Sequence, residues 1–105
     1  MVHHIVLYKL KQEVTPQKLE EMMMNTRINL LKIAEAQSVK CGKKIDPKCE
    51  WPFFIALDFE STDKLAMCHE HPMYLKFLQD VIKPNTLEKL VLDYEMEPGK
   101  DVKYS

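Results

Sequence analysis

Apolar and polar positions alternate, change period, and alternate again along this chain. His3 to Leu10 reads as a strand, with His4, Val6, Tyr8 and Leu10 on one parity and Ile5, Leu7 and Lys9 on the other. Both parities are apolar in the middle, so neither face of this strand suits bulk water. At Thr15-Pro16 the period becomes helical: Leu19, Met22, Met23, Thr26, Leu30, Ile33 and Ala34 recur at spacings of three and four, an apolar stripe over about five turns. Thr15 suits an N-cap, and Pro16 suits the first turn, where a missing N–H costs nothing. A short strand is expected over Ser38–Lys43, followed by a charged loop through Asp46-Pro47. Trp51 to Phe59 is the clearest strand, with Pro52 at its beginning or on an edge. Ser61 caps a second helical region that His71-Pro72 interrupts and restarts through Val81. After a turn at Pro84-Asn85, Leu87 to Glu95 forms the last strand, and a polar tail begins at Pro98.

The order is βαββαβ. In a single domain over about residues 1–97 it predicts an α+β, ferredoxin-like antiparallel sheet with the helices on one face. The helices cannot cover both faces, yet Ile5, Leu7, Phe54, Ala56, Leu87 and Val91 give the second face an apolar character too. A monomer rarely exposes so large an apolar patch, so a homodimer formed by sheet-to-sheet packing is the expected partner arrangement. Asp58 falls on that face and calls for a cationic partner such as Lys9 or Lys89, from either copy.

Composition narrows the function classes. The chain has 105 residues, 46% apolar and 30% charged, with a net charge of -1. One domain fits, disorder does not, and the missing basic excess argues against a nucleic-acid partner. No apolar run is long enough to cross a membrane, and the opening Met1-Val2-His3-His4 lacks the pattern of a secretory signal. Three irregularly spaced cysteines suit free thiols in a reducing cytoplasm. Two glycines leave no phosphate-cradling loop.

Candidate chemistry concentrates on a few side chains. His4 lies on the strand parity facing the helices, where an imidazole can serve as acid or base near neutral pH or be satisfied by a single hydrogen bond. His71 can touch a ligand or cap the helix restart. Tyr74, one turn on, can present its hydroxyl to the space that His4 faces. Cys68, Phe53, Trp51 and Tyr8 are expected around the same apolar cleft, either lining it or filling the core. Cys68-His69-Glu70-His71 superficially resembles a metal cluster, but consecutive helical positions point apart, and His3 and His4 fall on opposite strand faces. No metal or cofactor is expected. In Met22-Met23-Met24, helical spacing makes the first two core and the third peripheral.

The run H-H-I-V-L-Y-K-L-K, then F-E-S-T-D-K-L, H-E-H-P and V-L-D-Y, resembles the stress-responsive dimeric α/β-barrel (Dabb) family from about His3 to Tyr94. The resemblance implies a ferredoxin-like protomer and a homodimer whose sheets form a barrel. Most members have no assigned activity. One member is a plant polyketide cyclase, and small monooxygenases and lactone isomerases belong to the wider superfamily, working without metal or organic cofactor. His4 matches a pocket histidine of the cyclase. The cyclase's helical tyrosine is Cys68 here, its H-P is His71-Pro72, its general-base histidine is Tyr74, and another pocket histidine is Phe53. A phenol with a reference pKa near ~10 is a poor base at neutral pH, so the cyclase activity does not carry over. What remains is a family protein of unassigned activity. The alternative is a cofactor-independent enzyme acting on an apolar carbonyl or aromatic compound, with His4 and Tyr74 as catalytic groups.

Overall fold

In the computed structural model, which describes residues 1–97, strand β1 (Val2–Leu10) lies inside an antiparallel sheet. It pairs with β3 (Phe53–Phe59) on one side and β4 (Thr86–Glu95) on the other, and β2 (Ser38–Lys43) adds to the far edge of β3. The order is therefore β2-β3-β1-β4, the ferredoxin-like arrangement that the alternating pattern predicts. Strand β3 starts one residue after Pro52, so the proline never has to donate within the ladder, and Trp51 stays outside the strand. The polar tail from Pro98 lies outside the described residues.

Helix α1 (Pro16–Leu30) begins where Thr15 Oγ1 accepts a 3.1 Å hydrogen bond from the Lys18 amide. It ends four residues before the apolar stripe does. The Ile33 amide donates to Leu30 O and the Ala36 amide to Ile33 O, so Ile33 enters the core from a turn rather than from a fifth helical turn. Helix α2 (Thr62–Glu70) is capped by Ser61 and ends at His71, whose ψ of 130° breaks the helical path. His71 Nδ1 then accepts from the Met73 amide and starts α3 (Pro72–Phe77). A π-helical turn (Leu78–Ile82) follows, closed by Asn85 Nδ2 donating to Val81 O and Thr86 Oγ1 donating to Ile82 O.

The helices pack on the sheet face that carries Val2, Val6, Phe53, Ile55, Leu57 and Phe59. Met22 and Met23 are buried there while Met24 is exposed, as the helical spacing requires. Burying a side chain the size of Phe53 or Phe59 contributes about 1.5–3 kcal/mol each. Thr26, also fully buried, donates its hydroxyl to Met22 O at 2.7 Å and so carries no unpaired polar atom into the core.

The opposite face has no covering layer among the described residues. Cross-strand register assigns it Ile5 with Ala56 and Leu92, Leu7 with Phe54 and Leu90, and His3 with Asp58 and Tyr94. This corrects two expectations. Val91 sits opposite Val6 on the helix side, and Leu87 is the extra residue where the register shifts between Lys9 and Leu10, so neither belongs to the open face. Asp58 is satisfied by neither Lys9 nor Lys89: His3 Nδ1 donates to Oδ1 and Ser38 Oγ donates to Oδ2 at 2.6 Å. Lys9 instead pairs with Glu88 and lies 5.0 Å from the centre of the Trp51 ring. The Phe54 ring lies over Gly42, where an added Cβ would stand 2.5 Å from Phe54 Cε1.

Candidate functional site

The strand parity of β1 points His4 at the helices, where it is 2% exposed. Antiparallel register sets Asp93 of β4 directly opposite on the same face. A carboxylate can only accept, so His4 Nδ1–H donates to Asp93 Oδ1. Helix α2 brings His69 over this pair. Its ring centre lies 4.9 Å from that of His4 at an angle of 69°, and 5.2 Å from that of Tyr74 at 37°. His69 therefore occupies the space between His4 and Tyr74 that the sequence reading left for a ligand. The structure assembles a line of four groups, Asp93, His4, His69 and Tyr74.

Their surroundings set their protonation. Burial and the neighbouring His4 hold the His69 imidazole below its ordinary pKa, with Lys89 adding to the effect and Asp93 opposing it. It is thus an uncharged imidazole at neutral pH. Burial pushes the Tyr74 phenol up to about 12, with Cys68 and Asp93 adding to the effect. It stays a proton donor across the physiological range and cannot serve as a base. Burial also pushes the Cys68 thiol up to about 11, so its sulfur is a core atom rather than a nucleophile.

Further along β1 and β4, Tyr8, Leu75, Leu78, Ile82, Leu87 and Lys89 are among the residues lining a cleft of about 550 Å³ between β4 and the π-helical turn, and none of the four groups of the line is among them. That volume suits a small organic molecule. Tyr8 and Lys89 are register partners, as are His4 and Asp93, so the two ends of the site are ~13 Å apart along the same two strands at ~3.3 Å per residue. Burial raises the Tyr8 phenol, and the nearby Tyr74 phenol adds to the shift.

The other expected residues scatter. Cys68 and Phe53 are fully buried, and Phe53 stacks on Tyr8 at 5.8 Å. Trp51 takes the Lys9 ammonium at its ring, away from the cleft. His71 caps α3 and lines a separate groove with Asn29, Lys76 and Asp80. Among the described residues no three His, Cys, Asp or Glu side chains converge as a metal site. His69 and Asp93 escaped the sequence reading of the site. Asp93 shares parity with Val91, but its meeting with His4 depends on which strands are neighbours and in what register.

Comparison with known proteins decides the family. The sequence profile described as "Stress responsive A/B Barrel Domain" (Dabb) matches residues 2–96. The chain belongs to this family. No functionally curated protein matches this Dabb domain in sequence. Solved structures match its fold. A Dabb-family protein with a ferredoxin-like fold from Mesorhizobium loti superposes with a TM-score of 0.80 at 20% identity, covering 91% of this chain and 96% of that one. A dimeric ferredoxin-like protein of unknown function from Thermobifida fusca gives 0.78 at 19% identity, covering 90% of each chain. The hydroxynitrile lyase of Passiflora edulis gives 0.77 at 21% identity, covering 95% and 96%. No helix of this Dabb domain is long and apolar enough to cross a membrane among the described residues.

Proposed function

We propose that this Dabb domain is a homodimer, paired through its open sheet face, that carries out acid–base chemistry on a small, largely apolar carbonyl compound held in the helix-side cleft. The observation that carries the chemistry is the line from Asp93 through His4 and His69 to Tyr74, where a neutral imidazole stands between an oriented histidine and a protonated phenol. His69 takes the proton next to the carbonyl. His4, fixed by Asp93, holds the ring of His69 in place, and the Tyr74 hydroxyl donates to the oxygen on which charge develops. No step asks for a metal or organic cofactor. The dimer is supported by the half-buried apolar open face and by relatives described as dimeric. Free Cys41, Cys49 and Cys68 favour a reducing, cytoplasmic setting.

Deuterium exchange tests the chemistry. In heavy water, the protein is expected to speed deuterium uptake next to the carbonyl of a small aryl methyl ketone, read by mass spectrometry. A positioned general base contributes about 10²–10⁴-fold, so His69→Gln is expected to lose most of the acceleration and Asp93→Asn a smaller part. No exchange above buffer across a panel of ketones overturns the catalytic reading.

A further inference from the structure

The cleft further along β4 from the acid–base line has an unbalanced charge. Lys83 and Lys89 stand at its walls, and neither forms an ion pair within the chain among the described residues. The one acid that lines it, Glu88, turns its carboxylate to Lys9 at 3.2 Å. At the floor, the Tyr8 ring is buried, while its hydroxyl is accessible and makes no hydrogen bond to another described residue. Burial keeps that phenol protonated, so it is a donor waiting for an acceptor. Leu75, Leu78, Ile82 and Leu87 supply the apolar remainder, and the Gln79 amide is the other polar side chain at the wall with Thr86. The Thr86 hydroxyl is already committed to Ile82 O.

An accessible phenol that can still donate, beside two ammonium groups and apolar walls, complements one kind of guest. We propose that the cleft is a binding site for a small apolar carboxylate, with the carboxylate met by Lys89, Lys83 and the Tyr8 hydroxyl and the apolar body lying against Leu75, Leu78 and Ile82. This rests on the helix-side cleft being the ligand site and deepens it by naming the substrate class: the carbonyl compound carries a carboxylate. The carboxylate end anchors near Tyr8 and Lys89, and the body extends along β4 toward His69, which Lys89 already influences.

Naphthoate and its uncharged amide, naphthamide, separate the possibilities in an amide-resolved NMR titration that follows Tyr8, Leu75 and Lys89. Naphthoate is expected to bind about tenfold more tightly, and the difference is expected to shrink as salt rises, since both lysines are exposed. Lys89→Gln is expected to remove most of the preference for naphthoate over naphthamide, and Tyr8→Phe to weaken naphthoate several-fold. Equal affinity for the two compounds, or a preference untouched by Lys89→Gln, overturns the carboxylate assignment while the cleft reading stands. If neither compound shifts these resonances, the cleft reading falls as well.

Discussion

His69 was the residue hardest to find in the sequence and is the most informative in the structure. Inside H-E-H it looks like part of a metal run, and neighbouring helical positions give no reason to prefer it over His71. Only the end of α2 over β1 sets it against His4. That placement has a consequence for stability. The folded chain holds His69 below its ordinary pKa through burial and His4, with Lys89 assisting, Asp93 opposing and the neutral Tyr74 alongside. As pH falls through the ordinary imidazole pKa, the unfolded chain takes up a proton that the folded chain resists, so stability falls until His69 itself is protonated in the folded chain. His69→Gln is expected to flatten this part of the profile in urea denaturation. Asp58 contributes lower down. Burial works to raise its pKa, but hydrogen bonds from Ser38 and His3 outweigh it and hold the carboxyl below its ordinary value. Its stabilisation is therefore present above the ordinary carboxylate pKa and is lost only as pH drops further. His4 and Tyr74 were legible because strand parity and a single helical turn suffice to aim them. Asp93 was not, because it depends on pairing between residues distant in sequence.

Each element boundary has a local cause, and the sequence displays some of these causes more openly than others. Thr15-Pro16 and Ser61 announce helix starts through their side-chain oxygens, and the structure uses both. The end of α1 is less visible, because Ile33 is as buried in a turn as it would be in a helix. The π-helical widening at Leu78–Ile82 leaves no mark in an apolar pattern, yet it supplies Leu78, Gln79 and Ile82 to the cleft. His71 shows how a functional-looking residue can belong to an element instead. Its ring accepts the Met73 amide at the break between α2 and α3, and it faces another groove. His71→Ala is expected to cost about 1 kcal/mol, the value of a helix N-cap, in thermal or urea unfolding. The exchange reaction and naphthoate affinity are expected to stay at the level of the unmodified protein.

For the whole molecule, alternation in β1 and β3 was enough to show that one chain's helices cannot cover its apolar surface. The composition of the open face was only half legible. Ile5, Leu7, Phe54 and Ala56 follow from parity within a strand, whereas Leu90, Leu92 and Tyr94 depend on how β4 lines up with β1. Sedimentation at micromolar concentration is expected to give a particle of about 25 kDa, twice the 12.4 kDa chain. Leu92→Arg places a charge in the middle of the open face and is expected to shift it to the monomer, with the helix-side core unaffected. A stable monomer of the unmodified chain would contradict the pairing.

The Ser38–Asp58–His3 group gives that open face a mark of identity. Oily surfaces are interchangeable, and a cell holding several chains of similar shape could mix them freely if leucine and phenylalanine were all they displayed. In the proposed pairing, a polar island at a fixed place on each sheet would have to be accommodated by whatever lies opposite, and a partner presenting only apolar surface there would desolvate it without new hydrogen bonds. If the copies pair through this face as proposed, the island would work as an address, directing each copy to its own kind.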